Sequence, residues 1–96
     1  SVTVPDTLTE IGISAFAYCS GLTEVTIGSG VTDIKYGAFE SCISLESITI
    51  RATTPPTIGI EVFDDTNDCP IYVPSGSVQA YKTAWSAYAS RIYAAS

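Results

Sequence analysis

The stretch Leu22-Thr23-Glu24-Val25-Thr26-Ile27 decides the reading of this chain. Val25 and Ile27 are apolar and Thr26 between them is polar, which is the two-residue period of a strand with one buried face. The same pattern stands 23 positions earlier as Val2-Thr3-Val4 and 23 later as Ile48-Thr49-Ile50. After a further 23 it returns as Ile71-Tyr72-Val73. Four apolar-x-apolar triplets at one fixed period mean stacked coils rather than an ordinary globule. In such a solenoid each coil touches only its neighbours, and stability sums over coils and interfaces.

Working outward, residues 2–24 lie over residues 25–47. The pairs Val2/Val25, Thr3/Thr26, Thr9/Thr32, Ile11/Ile34, Ala15/Ala38, Phe16/Phe39, Cys19/Cys42 and Leu22/Leu45 are identical. Val4/Ile27 and Leu8/Val31 are conservative. Nearly all are apolar or small, as an inward-facing stack requires. Coils that repeat in one sense place their strands in parallel, about 4.8 Å apart. Turns follow the strands at Pro5-Asp6-Thr7 and Gly28-Ser29-Gly30. Leu8-x-x-Ile11 and Val31-x-x-Ile34 then return to the core, where a second short strand fits. Short helical or 3-10 turns come next, with Ser14 as the N-cap of Ala15-Phe16-Ala17-Tyr18. Phe16 and Phe39 are expected to form a buried aromatic column on the convex side.

The third coil departs from the rule. Ile48 and Ile50 hold register, but Pro55-Pro56 fills the turn and Phe63 falls one residue late. Ser75-Gly76-Ser77 signals a helix from about Val78 to Ala84, with Val78, Tyr81 and Trp85 on its apolar side. A second helical stretch is expected from Ser86 to about Tyr93. This tail reads as a lid over the last coil. The expected architecture is an α/β repeat: a short leucine-rich-repeat solenoid of parallel β-strands, short helical or 3-10 turns and a helical C-terminal cap. It forms one domain, with coils at 1–24, 25–47 and 48–70 and the final strand and cap at 71–96. The chain opens at Ser1 inside a coil, as expected for a mature fragment or an excised piece of a longer array. The uncapped first coil offers an edge for self-association.

Composition narrows the partners. Four basic residues face ten acidic ones, for a net charge of -6. An acidic surface repels phosphate backbones and anionic membrane surfaces, so neither nucleic acid nor membrane insertion is expected. No apolar run approaches the roughly 20 residues of a membrane span. There is no His, and the three Cys match no zinc spacing.

The residues Val2-Thr3-Val4-Pro5-Asp6, Ile11-Gly12, Ala15-Phe16 and Cys19-Ser20-Gly21-Leu22-Thr23 resemble the 23-residue leucine-rich repeats of BspA-like bacterial surface proteins. Residues 71–82, with Trp85, resemble the segment that closes such arrays. The resemblance implies a secreted or surface-anchored protein, in a family some of whose members adhere to host matrix proteins or to other bacteria. The chain departs from the pattern at Gly28-Ser29-Gly30, where Pro is common, and in the third coil.

Candidate sites follow from the strands. With Val25 and Ile27 inward, Thr26 points out, and so do Thr3, Thr49 and Tyr72. Glu24, Glu46 and Ser47 lie beside this column. Such a concave face fits a protein strand or a glycan, and equally a solvated sheet, since Thr is a good strand residue. Tyr72 is the strongest single candidate, because exposed aromatics are enriched where binding energy concentrates; packing against the C-terminal helix is its alternative. Cys19 and Cys42 stack about 5 Å apart by the strand spacing; free buried thiols are the expected state, with a disulfide the alternative at that separation. The loop at 64–68 carries three carboxylates but has no sharp-turn Gly and no bidentate Glu, so it reads as solvated rather than as a calcium site. Glu10 and Asp33 are neighbours on successive coils, on a face without a cleft. The convergent acid, base and nucleophile of an enzyme are missing. The expected function is non-catalytic surface recognition of a host or bacterial protein or glycan, without cofactor. A structural cap and spacer for a longer array is the alternative.

Overall fold

Val25 and Ile27 are buried and Thr26 between them is half-buried. Branched side chains on alternate positions suit a pleated surface with one face in the core. The computed structural model describes residues 1–95. Its strands, in chain order, are β1 (Val2–Val4), β2 (Glu10–Ile11), β3 (Glu24–Ile27), β4 (Asp33–Ile34), β5 (Ser47–Ile50), β6 (Thr57–Ile58), β7 (Ile71–Val73) and β8 (Ile92–Ala94). They form two sheets, ordered β1-β3-β5-β7-β8 and β2-β4-β6. Every pairing is parallel. The broad sheet keeps the period of the sequence: Val2 pairs with Val25, Val25 with Ile48 and Ile48 with Ile71. The core lies between the sheets, filled by Ile27, Ile34, Leu45, Ile48, Ile50 and Ile71 with Phe39 and Phe63. The solenoid of parallel strands is therefore as expected.

The phenylalanine column is present, with Phe39 and Phe63 buried but Phe16, expected to be buried, only half-buried. Phe16 stacks on Phe39 with centroids 5.1 Å apart and planes within 4°, and Phe39 on Phe63 at 5.8 Å and 12°. Phe63 joins despite its late position, for a physical reason. In the narrow sheet Asp33 pairs with Thr57 and Ile34 with Ile58, 24 positions apart rather than 23. The extra residue is thus absorbed in 51–56, around Pro55-Pro56. It is given back between Cys69 and Ile71, because β7 returns to the 23-residue offset. Cys69 consequently takes the place of Leu22 and Leu45. The N–H groups of all three close turns, onto the carbonyls of Cys19, Cys42 and Thr66 respectively.

The connection from the narrow sheet back to the broad one corrects one expectation. Ser14 is no N-cap. It has a left-handed φ of 53°, and its N–H donates to the Tyr36 carbonyl at 2.9 Å. Residues 15–18 form successive turns rather than a helix, closed by bonds such as Ala17 N–H to Ser14 O at 3.2 Å. Alternate residues donate instead to the next coil, Phe16 to Ala38 at 2.7 Å and Tyr18 to Glu40 at 2.8 Å. This alternation satisfies the backbone without helical pairing. The left-handed positions recur in register as Ser14, Gly37 and Glu61, and again as Tyr18, Ser41 and Asp65.

The Gly28-Ser29-Gly30 turn also has a cause. A Cβ on Gly28 would lie 2.6 Å from the Val4 carbonyl oxygen and from the carbonyl carbon of Pro5. The second turn presses directly on the first, and Ser29 N–H donates to Asp6 Oδ1 at 2.8 Å.

At the C-terminus the helix α1 (Val78–Ala84) forms as expected, between 3-10 turns at Ser75–Ser77 and Ser86–Arg91. The second helical stretch, expected to reach Tyr93, stops at Arg91, and Ile92–Ala94 becomes β8. The outer edge of β7 has unpaired backbone groups, and a parallel strand satisfies them. Ile92 is buried in register with Ile71.

The cap closes the last coil with side chains that stand in for the backbone of a following coil. Phe16 and Phe39 donate their N–H groups to Ala38 O and Val62 O at 2.7 and 3.0 Å. Phe63 N–H donates to the Tyr88 hydroxyl at 3.2 Å. Thr9 O and Thr32 O accept from the next coil at 2.8 and 3.0 Å. At the equivalent place Pro56 O accepts from the Trp85 indole N–H at 2.9 Å. Arg91 donates to Cys69 O at 2.9 Å and Phe63 O at 3.2 Å. Tyr81 donates its hydroxyl to Ala52 O at 2.6 Å, and the aromatic column ends with Trp85 and Tyr88 against Phe63.

Candidate recognition face

The broad sheet sets its outward side chains in rows, because each strand alternates and the strands are in register. Thr3 pairs with Thr26, Thr26 with Thr49 and Thr49 with Tyr72, so the four column residues read from the sequence are brought together. Thr3 is exposed, and Thr26, Thr49 and Tyr72 are half-buried. Glu24 and Ser47 pair on the adjacent row. Glu46 stands one residue before β5, its N–H donating to Thr23 O at 2.7 Å, and is exposed at the margin of the face.

Tyr93 belongs to the same row and was missed. It pairs with Tyr72, and the rings lie 6.3 Å apart at 44°. The partner of Tyr72 is therefore a strand residue rather than the C-terminal helix. A signal existed: Ile92-Tyr93-Ala94 repeats the form of Ile71-Tyr72-Val73, but after 21 positions instead of 23. Two hollows meet at Tyr72, and the larger also takes in Tyr93. One of about 550 Å³ is lined by Asp68, Pro70, Tyr72, Ser90, Arg91 and Tyr93 with Ala94. The other, of about 410 Å³, is lined by Thr49, Tyr72, Ala94 and Ala95.

The other candidates have structural employment. Lys35 bridges the two neighbouring acids, 2.7 Å from Asp33 and 3.4 Å from Glu10, and its hydrogen bond to Asp33 raises its pKa above the usual lysine value. These carboxylates share one cation instead of facing a substrate. In the 64–68 loop, Asp64 accepts the Tyr88 hydroxyl at 2.8 Å, while Asp65, Asn67 and Asp68 hold left-handed φ values of 57°, 64° and 47°. Asp and Asn tolerate that region, so backbone shape accounts for the polar composition. Among the described residues no cluster of three metal-ligating side chains occurs.

The cysteines differ from expectation in one respect. All three are free thiols, with Cys42 and Cys69 buried, but Cys19 is exposed. Cys42 Sγ–H donates to Phe16 O at 3.0 Å, and burial pushes the Cys42 and Cys69 thiols up from their ordinary pKa. Cys19 lies in the first coil. A second exposed surface follows the strands of the narrow sheet. Ile13, Tyr36 and Ile60 occupy equivalent positions and are 69%, 42% and 72% exposed. Tyr36 donates to Glu61 at 2.6 Å, and that bond pushes its pKa up to about 12.

Parallel strands in register, turn-linked coils, an inward apolar stack and a closed end define a leucine-rich-repeat solenoid. The match to known families is specific: the BspA-type leucine-rich repeat region, described as six copies, matches residues 1–89. The chain belongs to the BspA-type leucine-rich-repeat family. No curated protein sequence matches it. Repeats of this family are generally non-enzymatic and surface-associated. Among the described residues, no helix is long and apolar enough to cross a membrane.

Proposed function

We propose that this chain is a secreted or cell-surface recognition module that holds a protein or glycan against its broad sheet, without turnover or cofactor. The observation that supports this most is the in-register row Thr3–Thr26–Thr49–Tyr72–Tyr93. The row is held in place because each strand sends side chains of its other face into one core: Val4, Val25 and Ile27, Ile48 and Ile50, Ile71 and Val73, and Ile92. Fixed backbone spacing and short side chains lose little entropy when a ligand binds. Tyr72 and Tyr93 add aromatic area at the capped end, of the kind enriched at binding centres. Glu24, Glu46 and Ser47 edge the face with acceptors.

The test is direct binding of the purified chain to immobilised host matrix proteins and cell-surface glycans. Saturable binding that the double variant Thr26→Lys/Tyr72→Ala loses is the expected result. No binding across the panel by the folded chain refutes the reading. The cap chemistry favours a second reading, that of a closing segment and spacer for a longer array. Side chains of Tyr88, Trp85 and Arg91 take up backbone groups that another coil would otherwise meet. A folded chain that binds nothing, but keeps a longer array soluble, fits this second reading.

A further inference from the structure

The recognition reading leaves protein and glycan both open, and the capped end of the sheet separates them. We infer that the Tyr72–Tyr93 end is a subsite for a neutral oligosaccharide. The inference rests on the recognition reading and names its ligand class.

Two tyrosine rings stand side by side on adjacent strands, 6.3 Å apart and tilted by 44°, with Tyr93 52% exposed. Tyr72 lines two open hollows of about 550 and 410 Å³ that also share Ala94, and Tyr93 lines the larger of them. A chain of linked rings can run from one hollow into the other past Tyr72. The π face of a tyrosine is electronegative and attracts the C–H face of a pyranose, while the hydroxyl groups at the sugar's edge need polar partners. Asp68 and Ser90 line the larger hollow and are exposed. A carboxylate accepts two hydroxyl hydrogens at once, and a serine hydroxyl both donates and accepts. Aromatic walls with a few convergent polar groups are the usual make-up of a small-ligand site.

Charge selects the saccharide. Arg91 lines the same hollow, but its guanidinium is committed to Cys69 O, Phe63 O and Thr66 Oγ1 at 2.9, 3.2 and 2.7 Å. It serves as a fixed wall and not as a clamp for an anion. Its charge offsets that of Asp68, and Asp64 and Asp65 lie on the adjoining hollow. With a net charge of -6 the whole chain repels sulfated, sialylated or uronic chains. A neutral, hydroxyl-rich ligand avoids this repulsion and meets the carboxylates as hydrogen-bond acceptors.

The experiment titrates the full chain with neutral hexasaccharides of β-1,4-glucan, β-1,4-mannan and α-1,6-glucan. Hyaluronate and polygalacturonate oligomers are the acidic counterparts, and tyrosine fluorescence and NMR shifts are the readouts. At least one neutral hexasaccharide should bind saturably, with affinity about tenfold weaker in Tyr93→Ala and retained in Tyr93→Phe, which keeps the ring. Asp68→Asn should also weaken it. Tighter binding of an acidic oligomer, or an affinity unchanged in folded Tyr93→Ala, overturns the inference. If no saccharide binds but a protein does, and Thr26→Lys abolishes that, the saccharide subsite is refuted and the recognition face stands. If the folded chain binds neither, both are refuted.

Discussion

Tyr88→Phe tests whether the cap works as a surrogate coil. The Tyr88 hydroxyl accepts the buried Phe63 N–H at 3.2 Å and donates to Asp64 at 2.8 Å. The substitution removes only that oxygen. The ring stays edge-on to Phe63, with centroids 5.4 Å apart in the native chain. Asp64 is exposed and regains water, so its loss adds little. Phe63 N–H is left buried without an acceptor, which costs about 1–3 kcal/mol. For a domain of this size each kcal/mol lowers Tm by roughly 4–8 °C. An unfolding midpoint lowered by about 10 °C at unchanged urea m value is the expected outcome, read by circular dichroism. Tyr81→Phe is the comparison. It removes the donor to Ala52 O, a bond of 2.6 Å, and a carbonyl that loses one partner suffers less than an orphaned N–H. Its cost should be about 1 kcal/mol. Tyr88→Phe within about 0.5 kcal/mol of the native chain would show that water replaces the hydroxyl, and that the cap does not substitute for a coil.

Three further outcomes follow from the packing. Gly28→Ala places a Cβ 2.6 Å from the Val4 carbonyl oxygen and should destabilise the chain by about 1–3 kcal/mol in urea melts, whereas a neutral result contradicts the close turn stack. In the native chain one thiol, Cys19, should react promptly with a maleimide, and Cys42 and Cys69 only after unfolding, because both are buried; prompt labelling of all three would contradict this packing. Burial pushes the Tyr88 phenol up to about 12, against about 10 in an unfolded chain. Below pH 10 both states keep that proton. Between pH 10 and 12 only the unfolded state releases it, so stability should fall as pH rises through that window and fall less steeply in Tyr88→Phe. Equal slopes for the two chains would refute the assignment.

What the sequence made legible was whatever repeats. An inward position that packs on its own equivalent must keep its size and polarity, so Val2, Val25, Ile48 and Ile71 announced the register that the sheet adopts. The outward Thr column and Tyr72 followed from simple alternation. Features that occur once were harder to see. The strand β8 follows β7 by 21 positions and comes after a helical run, so the period hid it, and Tyr93 with it. The left-handed turn position is held by Ser14, Gly37 and Glu61, three side chains with no shared chemistry, so Ser14 resembled an N-cap. The cap's hydrogen bonds from Trp85 and Arg91 reach carbonyls 29 and 22 residues away, which no local pattern encodes.

Binding by matched face variants tests the central claim most directly. The native chain, Thr26→Lys/Tyr72→Ala on the broad sheet and Ile13→Ser/Tyr36→Ser on the exposed Ile13–Tyr36–Ile60 column are compared on one panel of matrix proteins and glycans. The sheet-face account predicts that binding is lost in the first variant and kept in the second, with both folded. Binding kept in the first and lost in the second would contradict it, and would move the recognition surface to the Ile13–Tyr36–Ile60 column.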